Sequence, residues 1–257
     1  MTVQITIVKI DGYGPWTLTL GSDREASLQM LQAKVYYEIQ RLFSIQNCLA
    51  FYNRFDEYFI ATNGLSILDH KSILDDLSIL FKNIRFSFSI GVGSTFMEAN
   101  KDAYNSRKLN MVYDNDHNIF FNSKNSNLTH RYDTEFQIIH IDIDGSNKIT
   151  LNFTPYDVTS LVMKIHTKLI SEFLKINALT FYLGGDNFMI LSHLIDKSKI
   201  QNIINKISGE MNIIFNCGIG IGTNAKNVVS CATEALDTIR QMRKAGDIIH
   251  IFELKCH

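Results

Sequence analysis

Three short blocks occur twice in this chain, in the same order and at nearly the same spacing. The first half carries VQITIVKIDGYG (3–14), FYNRFDEYFIA (51–61) and FSFSIGVGST (86–95). The second carries QIIHIDIDGSN (137–147), FYLGGDNFMIL (181–191) and FNCGIGIGTN (215–224). Asp56 follows Asp11 by 45 residues and Asp186 follows Asp142 by 44, while Gly91 lies 35 past Asp56 and Gly220 lies 34 past Asp186. Repetition at this period means two copies of one structural unit, each burying its own core.

Within each copy the patterns alternate between strand and helix. Leu28, Leu31, Val35, Ile39 and Leu42 recur at three- and four-residue steps after the first block, and Leu161, Ile165, Leu169 and Phe173 do so after Pro155. Ser22 followed by Glu25 reads as a capping box opening the first of these helices. Each middle block reads as a hairpin, and Gly184-Gly185 supplies the positive φ that a tight turn requires. Further helices are expected near 97–109 and 226–243. The order is βαββαβ, an α+β fold of two tandem ferredoxin-like domains, with an antiparallel sheet covered on one face by helices. The domains are read as 1–115 and 134–257, joined by an Asn-, Asp- and Ser-rich linker over 116–133.

Composition narrows the function classes. Hydrophobic residues make up 46% of the 257, enough for two real cores, and the net charge of −1 gives no pull toward nucleic acid or anionic membrane. No apolar run approaches the ~20 residues of a membrane span. The four cysteines (Cys48, Cys217, Cys231, Cys256) form no CxxC, which argues against zinc and for a reduced, cytoplasmic chain.

The chemistry is expected at one end of the second sheet. Asp142 ends the first strand of that domain and Asp186 sits at the turn of the adjacent hairpin. Two carboxylates this close repel unless a cation lies between them, and hard oxygen ligands suit Mg²⁺. Asp144, two residues on, is either a second ligand or part of the turn before Gly145. The GSNKIT stretch offers backbone N–H groups and Lys148 to phosphate oxygens, or is a solvated loop. Arg240 is a candidate phosphate clamp, with an exposed helix charge as the plain alternative. Asp11 and Asp56 read as a second copy of the acid pair. There the turn is Arg54-Phe55-Asp56, crowded where glycines would be open, so the second domain is favoured for metal.

HIDIDG, GGDNF and GIGIG together resemble the nucleotidyl-cyclase and polymerase palm superfamily, which includes GGDEF diguanylate cyclases. GGDN, the tandem domains, and IDGYGPW with FYNRFDEYF are similar, more specifically, to the archaeal GTP cyclohydrolase III family, over nearly the whole chain. That resemblance implies two Mg²⁺ per site, activation by K⁺, and a homotetramer acting on GTP. It also implies opening of the guanine imidazole ring at C8, with retention of the formyl group and release of two phosphates, at the head of an archaeal route to riboflavin and deazaflavins. Carried over by motif, Asp142 and Asp186 would hold metal, with Gly184, Gly185 and Asn187 at the nucleotide. Asp157 stands near the place of an acid that reads the guanine edge, and Glu25 is its parallel in the first half. Tyr13 and Trp16 are left to structure, base contact or a subunit interface. No His or Cys beside the motifs nominates a base for the water attacking C8. A GGDEF-like cyclase and a non-catalytic GTP sensor are the alternatives.

Overall fold

The computed structural model describes residues 2–114, 117–122, 134–146 and 151–256. Two compact units emerge, 1–94 with 98–133, and 134–257 with 95–97. The first unit runs β1 (Val3–Ile10), α1 (Tyr13–Leu18), α2 (Arg24–Ile45), β2 (Leu49–Arg54), β3 (Glu57–Ala61), α3 (Ile67–Leu80), β4 (Phe86–Gly93), α4 (Phe96–Lys108), β5 (Val112–Asp114) and β6 (Ile119–Phe121). Its sheet has the order β2-β3-β1-β4-β6-β5. The second unit runs β7 (Phe136–Ile143), α5 (Pro155–Leu174), β8 (Leu179–Gly184), β9 (Asn187–Ser192), α6 (Lys197–Met211), β10 (Phe215–Gly222), α7 (Ala225–Lys244) and β11 (Ile251–Lys255), with the sheet order β11-β10-β7-β9-β8.

In each sheet the βαββαβ strands pair antiparallel around the first strand, and one further strand joins parallel, β6 on β4 and β11 on β10. Both units are therefore the expected α+β arrangement, extended by β6 and β5 in the first and by β11 in the second. Of these, β6 falls on residues read as linker: Ile119–Phe121 is buried and paired rather than solvated.

The helices lie on both faces, not one. Alternate residues Val8, Ile10, Phe88 and Ile90 pack with α2 and α3, and Ile139, Ile141, Ile143, Cys217 and Ile219 pack with α5 and α6. The intervening positions on β10 are glycines that receive α7. A Cβ at Gly218 would stand 2.0 Å from the Ala232 carbonyl oxygen, and one at Gly220 would stand 2.1 Å from that of Val228. Gly91 does the same for α4, where the Ala99 oxygen would be 2.0 Å away. Removing Cβ lets helix backbone rest directly on strand backbone.

Capping also differs from the expectation. Helix α2 starts after Asp23 with no side-chain capping hydrogen bond, so Ser22 and Glu25 form no box; Glu25 instead lies 3.7 Å from Arg24. Boxes do form at Ser66–Asp69 and at Thr154–Asp157. The reading of every cysteine as reduced is corrected at one pair. Cys231 on α7 and Cys256 after β11 are bonded, with their Cα atoms 6.1 Å apart, because the parallel β10–β11 pair brings the chain end beside that helix. Cys48 and Cys217 are free and buried.

Candidate functional site

The β7–β9 ladder places Ile141 opposite Phe188, so Asp142 comes level with the hairpin turn that carries Asp186. Gly184 (φ 114°) and Gly185 (φ 59°) make that turn in conformations that L side chains rarely adopt. Asp142 is 5% exposed and faces the α7 side of the sheet. Its Oδ2 accepts from Arg240 at 2.6 Å, and its buried Oδ1 has no hydrogen-bond partner among the described residues. Arg240 also donates to Asp237 at 2.7 Å, so it clasps carboxylates here rather than standing open.

Asp144, past the strand end, accepts from Arg243, which also donates to Asn216 at 2.5 Å. Asp186 accepts from the Asn187 amide at 2.9 Å. Among the described residues no three His, Cys, Asp or Glu side chains gather as a ligand set, so Asp142, Asp144 and Asp186 are neighbours along one sheet end and not a closed cage. On the other face a cavity of about 170 Å³ is lined by Ile143, Val158, Leu161, Val162, Gly185 and Asp186, among others. Asp157 lies in the first turn of α5, where its carboxylate accepts from the Thr154 hydroxyl at 2.5 Å as part of the capping box. Lys148 lies outside the described residues.

His140 was missed by sequence reasoning, although HIDID alternates and so puts it on the same face as Asp142. Its Nε2 donates to Asn187 Oδ1 at 3.1 Å, and Nδ1 lies 3.3 Å from the Thr233 hydroxyl. Burial lowers its pKa below the usual imidazole range, against the opposing pull of Asn187 and Asp142. A histidine thus stands beside the motifs. Arg243 was also missed; its signal was the three-residue step from Arg240, which shares a helix face.

The first unit corrects the pairing of the acids. Ile10 pairs with Phe86 as Ile143 pairs with Phe215, and the next N–H bonds the residue before that phenylalanine in both units, Asp11 to Arg85 and Asp144 to Ile214, each at 2.8 Å. Gly12 and Gly145 follow with φ 61° and 67°. Asp11 is therefore the counterpart of Asp144, and Lys9 occupies the place of Asp142. The Asp11 carboxylate is filled by Ser87 (2.8 Å), Arg107 (2.5 Å) and Asn118 (2.6 Å). Asp56 pairs with Arg54 at 3.6 Å, and its carbonyl accepts from Ile10 at 2.9 Å. Tyr13 accepts from Gln32, and its ring lies 6.0 Å from that of Trp16; both pack on the first core.

Two ferredoxin-like units in one chain, one bearing a buried strand-end aspartate beside a Gly-Gly-Asp hairpin, define a tandem α+β scaffold with a candidate site in its second unit. Comparison with known proteins makes the family specific. The chain belongs to the GTP cyclohydrolase III family, whose model matches residues 3–252. A GTP cyclohydrolase III of Methanothermobacter thermautotrophicus is 31% identical over 98% of this chain and 99% of its own length. That of Methanocaldococcus jannaschii is 34% identical over 93% of this chain and 88% of its own. Among solved structures, the active GGEEF domain of a diguanylate cyclase from Vibrio cholerae matches 47% of this chain and 83% of its own at TM-score 0.37 and 15% identity, too loose a likeness to bear on function.

Proposed function

We propose that this protein hydrolyses GTP to 2-amino-5-formylamino-6-(5-phosphoribosylamino)pyrimidin-4(3H)-one and two phosphates. The reading includes two Mg²⁺ per site, K⁺ as activator, a cytoplasmic homotetramer, and a place at the start of riboflavin and deazaflavin synthesis. The observation that carries it is the buried Oδ1 of Asp142 at the end of β7, without a partner among the described residues and level with the Gly-Gly-Asp turn. A buried carboxylate oxygen without a donor is costly unless a cation completes it, so the residues present fit the metal. Asp142 and Asp186 would hold it, with Asp144 alongside; when bound, Mg²⁺ would stabilise charge on the attacking and leaving oxygens of phosphoryl transfer.

The chain's own groups divide the remaining tasks. Gly184 and Gly185, without side chains, let phosphate oxygens approach the hairpin backbone. The apolar cavity beside α5 takes the base, flanked by Val158, Leu161 and Val162. Arg240 and Arg243 keep the carboxylates oriented from α7. Asn187 is held by His140 at 3.1 Å and points its amide to Asp186 at 2.9 Å, which fixes the turn. His140, whose pKa burial lowers, holds the Asn187 side chain from the α7 side of the sheet, opposite the cavity assigned to the base.

The test is to incubate the protein with GTP, Mg²⁺ and K⁺ while following the ultraviolet spectrum and free phosphate. Ring opening shifts the spectrum with two phosphates per GTP. Pyrophosphate with an intact purine spectrum would make the protein a cyclase, and no change at all would make it a sensor.

A further inference from the structure

We propose that the first unit holds a second, non-catalytic site for a phosphate-bearing small molecule, built where its twin holds the catalytic acid. The pairing registers put Lys9 in the backbone slot of Asp142, facing the α4 side of the sheet. On that side lies a cleft of about 800 Å³ bordered by Lys9, Arg54, Arg107, Lys108, Tyr104 and Glu57, among others. Four of these six are cations and one is an acid. The same slot that offers a carboxylate to a cation in one unit offers an ammonium to an anion in the other.

The cations are not equivalent. Arg107 is committed to Asp11 at 2.5 Å, and Arg54 is shared between Asp56 at 3.6 Å and Glu57 at 3.1 Å. Lys108 rests over the Tyr104 ring at 5.7 Å, on a side chain flexible enough to turn inward. Lys9 is half-buried on a central strand; Glu57, directly across from it on β3, has its carboxylate taken by Asn53 at 2.9 Å and Arg54 at 3.1 Å, and no ion pair to Lys9 forms among the described residues. A half-buried ammonium without a counter-ion is stabilised by an anion that supplies several oxygens at once, as phosphate does. The exposed Tyr104 ring at the rim offers a stacking face for a base.

The ligand class is therefore a phosphate or polyphosphate, either free or carried on a nucleoside. Binding of inorganic pyrophosphate and of GTP to the full chain is measured by calorimetry in EDTA, which removes any metal-dependent binding at the second unit. One site per chain is expected, weakening as salt rises. Its affinity should fall at least tenfold in Lys9→Gln and in Lys108→Gln, and should stay unchanged in Asp142→Asn. Equal affinities for the two probes mean that the phosphate group alone is read, and a tenfold preference for GTP adds a contact to the nucleoside. Turnover of GTP at saturating Mg²⁺ should persist in both lysine variants. Lys108 is at the last turn of α4, so its variant keeps the test decisive if Lys9→Gln fails to fold. No binding by the wild-type chain, or binding that survives both lysine substitutions, overturns the proposal. Loss of binding in Asp142→Asn alone overturns it as well, by placing the anion in the second unit.

Discussion

Gly220→Ala should destabilise the second unit and disarm its site together. The added Cβ would stand 2.1 Å from the Val228 carbonyl oxygen and 2.7 Å from the Ala232 amide nitrogen, where ordinary contact begins at 3.4 Å. Both obstacles are helix backbone, so no side chain can swing aside, and α7 must move outward by more than 1 Å. Overpacking of this kind costs about 1–3 kcal/mol. For a unit of this size, that is a fall in melting temperature of roughly 5–15 °C. The same shift carries Arg240 and Arg243 away from Asp142 and Asp144, so turnover should drop even at temperatures where the variant stays folded. Gly209→Ala is the internal control. It lies in α6 with nothing within 4 Å of the methyl group it would gain, and should stabilise by about 0.5–1 kcal/mol through helix propensity. Circular dichroism melts and GTP turnover on the two variants decide the matter. If Gly220→Ala melts with the wild-type protein, the account of α7 resting on bare strand backbone is refuted.

Asp142→Asn should lower turnover by roughly two orders of magnitude or more, while Asp11→Asn, whose carboxylate is filled by Ser87, Arg107 and Asn118, should act mainly on stability. Mg²⁺ at about a hundredfold excess over its Kd should raise wild-type stability by ~2.7 kcal/mol, and a thermal-shift series should find that gain reduced in Asp142→Asn but intact in Asp11→Asn. His70 is fully buried between Thr6 and the Ser66 carbonyl, and burial lowers its pKa from 6.5 to about 4. The unfolded chain then takes up the proton first, so stability is full above 6.5 and declines as pH falls toward 4, by about 3 kcal/mol in all. Urea titrations across that range should show this slope flattened in His70→Gln. Thr154→Ala removes one side of the α5 capping box and should cost about 1 kcal/mol; a KM for GTP that rises in Asp157→Asn but not in Thr154→Ala would assign Asp157 to the base as well as to the cap.

The repeat made the two βαββαβ units legible, because hydrophobic periods of two and of three to four alternate twice in the same order. It also misled at one point. Matching acid to acid set Asp11 against Asp142, whereas the shared tripeptide Ile-Asp-Gly, 10–12 and 143–145, was the better guide and gives the register the ladders adopt. The glycines of FNCGIGIG alternate with apolar residues, which is the mark of a helix pressed on the second face, and that signal was readable. The arginine clasps were not, because residues 98 and 99 apart meet only after α7 has docked. Nor was β6, whose short Ile-Phe-Phe run lies inside an Asn- and Asp-rich stretch, or the Cys231–Cys256 bond, which depends on the parallel placement of β11.

Lys9 standing in the slot of Asp142 makes the divergence of the two halves measurable in point mutations. At the strand end a single codon separates them. At the hairpin two more do, since Arg54 and Phe55 hold the positions of Gly184 and Gly185, and only the glycines take positive φ. A chain carrying Lys9→Asp, Arg54→Gly and Phe55→Gly would present both halves with the same acid-and-glycine end. Ancestral or engineered intermediates between one working site and two are thus only three steps away, close enough to be built singly, in pairs and together.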